Sequence, residues 1–297
     1  MIRKATIVLA LGVLGIASRL LIDSPAMTNS RTANAEDKPA KTESPSPKSE
    51  SEKTAPAEKD KKAASVASVG GLPGADPGKT GAIEGVVVFT GDKVPELPRI
   101  EIQADHRDAN VCGHEIPQEK LVLDAGKHIA NVVVSLADTK VLPKAKPRDV
   151  RLTNETCVFK PHVVAAPARS RLVVGSRDSG VIHTAHGYLG NDFNISVPRT
   201  DRDVPIRLKS KTGYTLLKCD THAWMQAHLW TFRHDFFAVT GADGRFRLEG
   251  VPVGDYEVEI WHEFLVGILQ KPILKKVSVR AGETATLKVE LKERAAK

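Results

Sequence analysis

An all-β chain is predicted, organised as sandwiches or Greek-key barrels. Three observations predict it. The apolar runs are short and rich in β-branched and aromatic residues, and Gly, Pro, Asp and Asn bound them. No long segment repeats its apolar residues with a 3.6-residue period. Turn signals recur between the runs, as multi-stranded sandwiches and barrels require. In chain order, "AIEGVVVFTG" (82–91) reads as a strand closing on a Gly turn, and "IANVVVSLAD" (129–138) as a second strand. "RSRLVVGS" (169–176), "GYTLLKC" (213–219) and "AHLWTFR" (227–233) continue the series.

The C-terminal stretch has a cleaner rhythm. Asp243-Gly244 separates two strand-like runs, as a hairpin turn does. In "GVPVGDYEVEI", Tyr256, Val258 and Ile260 share one face, with Glu257 and Glu259 on the other. "KKVSVRAGETATLKVEL" reads as a final hairpin. Trp261, His262 and Glu263 read as packing at the rim of this unit. The pattern resembles the carboxypeptidase regulatory-like domain, a transthyretin-type β-sandwich. That family opens with a strand like the one at 81–91. Either a second domain is inserted after that strand, or two sandwiches follow in tandem.

The first 80 residues read differently. Arg3 and Lys4 precede an apolar run, Ala5 to Ala17, too short to span a bilayer comfortably, and Ala33-x-Ala35 offers a cleavage site. Residues 1–35 are thus a signal peptide or an uncleaved N-terminal anchor, which would tether the protein to a membrane. Residues 36–80 have no aromatic residue and balanced charge, so they cannot bury enough apolar surface to order themselves. The remainder divides into a β segment at 81–146, a domain at 147–235 and a sandwich at 236–297. Export to the periplasm or cell envelope follows. Residues 81–297 hold 31 basic and 27 acidic residues, a mild excess with no basic stripe, which excludes a nucleic-acid partner.

The chemistry concentrates in "LLKCDTHAWMQAHLW" (216–230). Cys219, His222 and Met225 are spaced C-x2-H-x2-M between two strand-like runs. Thiolate, imidazole and thioether form a soft ligand set. Upstream, a strand through Val173 and Val174 and the turn "GSRDSG" lead to His183. This order, over roughly 147–233, resembles the cupredoxins, with the ligand spacing of amicyanin and a shorter gap than in plastocyanin-like relatives. The resemblance implies one copper ion held by His183, Cys219, His222 and Met225. It also implies one-electron transfer to a redox partner protein, with His222 as the port at the surface. Thr184 departs from the family, which commonly has Asn there tying the two ligand loops together. Copper storage or delivery and a metal-free envelope module are the alternatives.

If Cys219 is that thiolate ligand, Cys112 and Cys157 are left to pair in an oxidising compartment, closing a loop that contributes about 3–4 kcal/mol. A zinc site from Cys157, His162, Cys219 and His222 is a further alternative that leaves His183 and Met225 without a role. His186, three residues after His183 in an extended run, points to the opposite face. His114 has no evident partner. No C-x-x-C-H, H-x-H, G-x-S-x-G or phosphate loop occurs, so no enzyme is expected.

Overall fold

The computed structural model describes residues 68–72, 74–198 and 200–293. The signal-like segment 1–35 and most of the expected linker lie outside the described residues. The described chain opens with β1 (Ser68–Gly71), β2 (Thr80–Phe89), β3 (Ile100–Glu101), the short helix α1 (Ala109–Cys112), β4 (Glu115–Ile116) and β5 (Val133–Leu136). It continues through β6 (Asp149–Glu155), β7 (Val158–Lys160), β8 (Val163–Pro167), β9 (Arg171–Ser176) and β10 (His183–Tyr188). Next come β11 (Phe193–Val197), β12 (Val204–Arg207), β13 (Gly213–Lys218) and β14 (Gln226–Phe232). It closes with β15 (Phe237–Val239), β16 (Arg245–Pro252), β17 (Gly254–Trp261), a π-helical turn (Glu263–Gly267), β18 (Ile273–Val279) and β19 (Thr284–Leu291). The fold is all-β.

Two sandwiches result. In one, sheets ordered β12-β9-β6-β7 and β11-β10-β13-β14-β8 enclose Leu152, Phe159, Leu172, Ala185, Leu217 and Leu229. In the other, sheets β1-β16-β2-β19 and β15-β5-β17-β18 enclose Ile83, Val134, Phe246, Val258 and Val289. Residue type explains the central places. All four residues of β5 are buried, so it sits between β15 and β17, where both faces are covered. Strand β2 lies between β16 and β19, antiparallel to the first and parallel to the second.

This pairing decides the nesting. Strands β2 and β5 come before β6–β14, and β15–β19 come after, yet all seven build one sandwich. The β6–β14 sandwich is therefore inserted into the other, and 81–146 is not one unit. Its strands β2 and β5 belong to the outer sandwich. Its middle, 100–116, lies on the inserted one, where Ile102, Cys112 and Ile116 join the core. A disulfide between Cys112 and Cys157 closes that attachment.

Three local readings are corrected. Residues 68–80, read as linker, supply β1, which runs parallel to β16 from Ser68↔Phe246 to Gly71↔Glu249. Gly70 permits it, since a Cβ there would lie 1.8 Å from the Phe237 carbonyl oxygen. The Asp243-Gly244 turn does not close a hairpin, because β15 and β16 belong to different sheets. The 280–283 turn likewise crosses from β18 to β19 in the opposite sheet. Alternation reports that one face is buried, but the hydrogen-bonding partner comes from β2 and β5, more than a hundred residues upstream. Tyr256, Val258 and Ile260 are buried and Glu257 is exposed, in the expected phase.

The two sandwiches meet over Val133, Val163, Phe232, Phe237, Trp261 and Val266. Removing the disulfide by the double substitution Cys112→Ala, Cys157→Ala is expected to lower unfolding free energy by about 4 kcal/mol, the chain-entropy value for a loop of this length. Urea unfolding measures it, and a loss under about 1 kcal/mol would show that the attachment of 100–116 does not depend on the bond.

Candidate metal centre

Strand pairing assembles the centre. Strands β10 and β13 are antiparallel neighbours, with His186 opposite Lys218. The start of β10 and the end of β13 therefore meet at one edge, which brings His183 to Cys219. Along β10 the burial alternates, with His183, Ala185 and Gly187 inside. After β13 the chain makes a tight loop. The Met225 N–H donates to the His222 carbonyl at 2.9 Å, and the Cys219 N–H to the Met225 carbonyl at 3.3 Å. Cys219, His222 and Met225 are thereby held on one short, closed turn.

One ring nitrogen of His183, one of His222 and the Cys219 sulfur lie within 4.8 Å of one another. The other ring nitrogens are taken. His183 Nε2 is 2.9 Å from Asp178 Oδ2, and His222 Nε2 is 3.1 Å from Asp108 Oδ2. The nitrogens left for the sulfur are the two Nδ1 atoms. His222 Nδ1 is 3.6 Å from Cys219 Sγ. His183 Nδ1 is buried and makes no hydrogen bond. His183 and His222 are 0% exposed, Met225 1% and Cys219 3%. Met225 packs in the same apolar cluster as Cys219.

The residues fit a metal ion. Nitrogen and sulfur donors about 2.0 and 2.3 Å from a shared ion stand roughly 3.5–3.7 Å apart at tetrahedral or trigonal angles. A thiol–imidazole hydrogen bond would account for the His222 contact as well. His183 Nδ1 also faces the sulfur but meets no partner in good hydrogen-bonding geometry, and a buried polar atom so left costs about 1–3 kcal/mol. A cation bound between the three donors satisfies it.

The electrostatics favour the ligand forms. Burial pushes the Cys219 thiol up, but the His183 and His222 rings and the backbone N–H groups of Thr184 and His222 outweigh it. The pKa is brought down to about 5, so the sulfur is a thiolate at neutral pH. Burial also works against ionised Asp178. Hydrogen bonds from His183 and from the Cys157 and Thr156 N–H groups overcome it and hold the carboxyl below its usual range. Asp108 is lowered in the same way, by His222 and Arg107 against burial. Each imidazole thus has an ionised carboxylate behind it, which orients the ring and raises its donor strength.

Thr184 joins the loop before β10 to the loop after β13. Its hydroxyl accepts from the Asp220 N–H at 2.6 Å and lies 3.7 Å from Cys219 Sγ, and its N–H donates to that sulfur at 3.3 Å. The two ligand loops are tied through one side chain. His186 lies on the opposite face, stacked on Tyr188 and paired with Asp220. His114 is exposed.

Two expectations change. His222 is not at the surface, because the 103–114 segment lies over it. Asp108 covers Nε2, and the rings of His106 and Trp224 lie 5.6 and 5.1 Å from its own. The four-ligand zinc set is also lost, since Cys157 is bonded to Cys112 and His162 pairs with Glu263. The sequence reading did not find Asp108 or Asp178. Asp178 sits in the turn five residues before His183, and Asp108 lies 114 residues before His222, so no spacing rule links either to its imidazole.

No family model and no curated protein matches the chain. Among solved structures it is similar to a novel purple cupredoxin from Nitrosopumilus maritimus, at 14% identity over 28% of this chain and 100% of that one, with a TM-score of 0.25. A pseudoazurin from Sinorhizobium meliloti is similar at 15% identity over 29% of this chain and 76% of its own, with a TM-score of 0.24. A chain of a heme-copper terminal oxidase dimer is similar at 17% identity over 33% and 77%, also with a TM-score of 0.24.

Asp178→Asn keeps the shape of the side chain and removes its charge. It is expected to lower metal affinity about 10–100-fold, the usual cost of losing a partner behind a ligating imidazole. Competition against a chelator of known affinity measures this, and unchanged affinity would show that Asp178 serves only the 156–157 turn.

Proposed function

We propose that the chain is an exported cupredoxin-like protein that binds one copper ion and passes single electrons to a partner protein. His183 and His222 would hold the ion through Nδ1, Cys219 through its thiolate and Met225 through its thioether. The observation that carries this reading is a buried thiolate between two imidazoles, each backed by a carboxylate. Bound there, copper supplies one-electron chemistry between Cu(I) and Cu(II).

The chain's own work is to keep the donors still. Asp178 and Asp108 fix the two ring orientations, and the closed 219–225 turn fixes the spacing of Cys219 and His222. The N–H of Thr184 donates to the sulfur and steadies its negative charge. Burial of all four side chains excludes water. A donor set that cannot rearrange suits electron transfer, in which the ligands should move little between oxidation states.

The same burial disfavours copper delivery. An incoming ligand must reach the ion and displace a donor, and no candidate donor is more than 3% exposed. The half-buried rings of Trp224 and His106, in contact with His222, are the route outward to a docked partner. Export is supported by the signal-like N-terminus and by a disulfide, which persists in oxidising compartments. The regulatory-like resemblance of the outer sandwich rests on its sequence pattern, and its part here is that of a rigid frame.

The oxidised, copper-loaded chain is expected to show a strong visible thiolate-to-copper band. Cys219→Ser should abolish it. Met225→Leu should keep colour and copper but raise the reduction potential, because a weak axial donor is lost. A copper-loaded Cys219→Ser protein with an unchanged visible spectrum would sink the assignment.

A further inference from the structure

A second cluster of ligating side chains lies where the two sandwiches meet. His162 precedes β8, and His228 stands on β14 in register with Val163. The His228 N–H donates to the His162 carbonyl at 2.9 Å, so the parallel pairing of β8 and β14 sets the imidazoles side by side, with ring centroids 5.1 Å apart. The third member comes from the other sandwich. Glu263 is the first residue of the π-helical turn that follows β17. That turn is held by the His262 carbonyl, which accepts from the Val266 and Gly267 N–H groups. At its start His262 Nδ1 accepts from the Phe264 and Leu265 N–H groups. Turns of this wide type recur at functional sites.

The geometry is that of a ligand trio. One Glu263 oxygen makes a short contact with His162 Nε2, and the other lies 2.9 Å from His228 Nε2. Ligand atoms of the three residues fall within 4.8 Å of one another. All three side chains are more than nine-tenths buried. His228 Nε2 is close to the carboxylate yet outside hydrogen-bonding geometry, so it is a buried polar atom without a hydrogen-bond partner. Its ring is fixed from behind by Tyr214, whose hydroxyl is 2.7 Å from Nδ1. In the tautomer whose Nδ1–H donates to the Tyr214 oxygen, the Nε2 lone pair faces Glu263, and a cation between the two acceptors would satisfy both.

Glu263 reaches both imidazoles through its two oxygens. Gln226 donates to the same carboxylate at 3.3 Å. A cavity of about 180 Å³ adjoins His162 and is also lined by Glu119, Gln226, Trp224 and Met225, with room for several waters.

We propose that His162, His228 and Glu263 form a second metal site, for a divalent cation of the zinc class, that fastens the outer sandwich to the inserted one. Two imidazole nitrogens and a carboxylate oxygen are borderline to hard donors, and the absence of sulfur separates this site from that of Cys219. Three protein ligands leave a fourth position for water from the adjoining cavity. The ion offsets the buried negative charge and satisfies His228 Nε2. The proposal does not depend on what Cys219 binds.

The test uses the full chain, stripped with a chelator, reloaded with copper and then titrated with Zn(II) and, as a spectroscopic probe, Co(II). Wild type is expected to take up one equivalent beyond copper with a Kd tighter than about 10 μM. Its Co(II) form should show ligand-field bands without a sulfur charge-transfer band. Loss of an outer partner already costs about 10–100-fold in affinity, so Glu263→Gln and His162→Gln should each weaken uptake by more than about 100-fold. Both are near in size to the residues they replace. The difference between wild type and Glu263→Gln counts this site alone, whatever occupies the other. Failure of wild type to bind a second equivalent, or uptake by both variants equal to that of wild type, would overturn the proposal and leave a proton-linked His–Glu–His cluster. Should neither variant fold, the wild-type stoichiometry decides.

Discussion

The Cys112–Cys157 bond reaches both imidazoles of the candidate metal centre. On one side, the Cys157 and Thr156 N–H groups donate to the Asp178 carboxylate at 2.9 and 2.6 Å, and Asp178 holds His183. On the other side, Cys112 ends the short helix α1, whose first carbonyl partner is Asp108, and Asp108 holds His222. Neither arm is long enough to be stable alone. Helix α1 has four residues, and a two-stranded ladder of two residues each, β3 with β4, flanks it. Isolated helices and hairpins of that size do not persist in water. The crosslink makes them part of the inserted sandwich, and the imidazoles inherit their orientation from it.

Much of the polar burial in this protein is explained by two clusters. His183 and His222 each have one nitrogen on a carboxylate and one directed to the Cys219 site. His162 and His228 converge on Glu263, and Met225 and His162 line the same cavity. The two clusters are thus neighbours along β14, whose first residue, Gln226, follows Met225 and reaches Glu263. Buried imidazoles and carboxylates lower stability unless they find partners. A chain that retains this many is organised around charge, and a bound cation would return part of that stability by binding only the folded state.

Some of this was legible in one dimension. The all-β class followed from short β-branched runs, and the phase of Tyr256, Val258 and Ile260 followed from alternation. The closeness of Cys219 and His222 followed from sequence spacing, because both sit on one loop. The opposite facing of His183 and His186 followed from the two-residue period of a strand. Where the reading failed, a long-range partner had overridden a local signal. Asp243-Gly244 has the chemistry of a hairpin turn, yet its flanking strands pair with β2 and β5 in separate sheets. "SVGG" has the composition of a linker, yet Gly70 allows it close against Phe237. "WHE" looked like rim packing because His162 and His228 stand on the other sandwich.

The sequence by itself determined the class of the fold, the faces of its strands and which side chains stand together on the C-x2-H-x2-M loop. These depend on periodicity and on residues within one turn or strand of each other. Only the tertiary structure decided the nesting of one sandwich in the other, the burial of His222 beneath Asp108, and the meeting of Glu263 with His162 and His228. Each of those brings together residues 35 to 114 positions apart, or strands separated by a whole domain. Over such distances the chain leaves no periodic trace. Which carboxylate reaches which imidazole is settled by how the sheets stack.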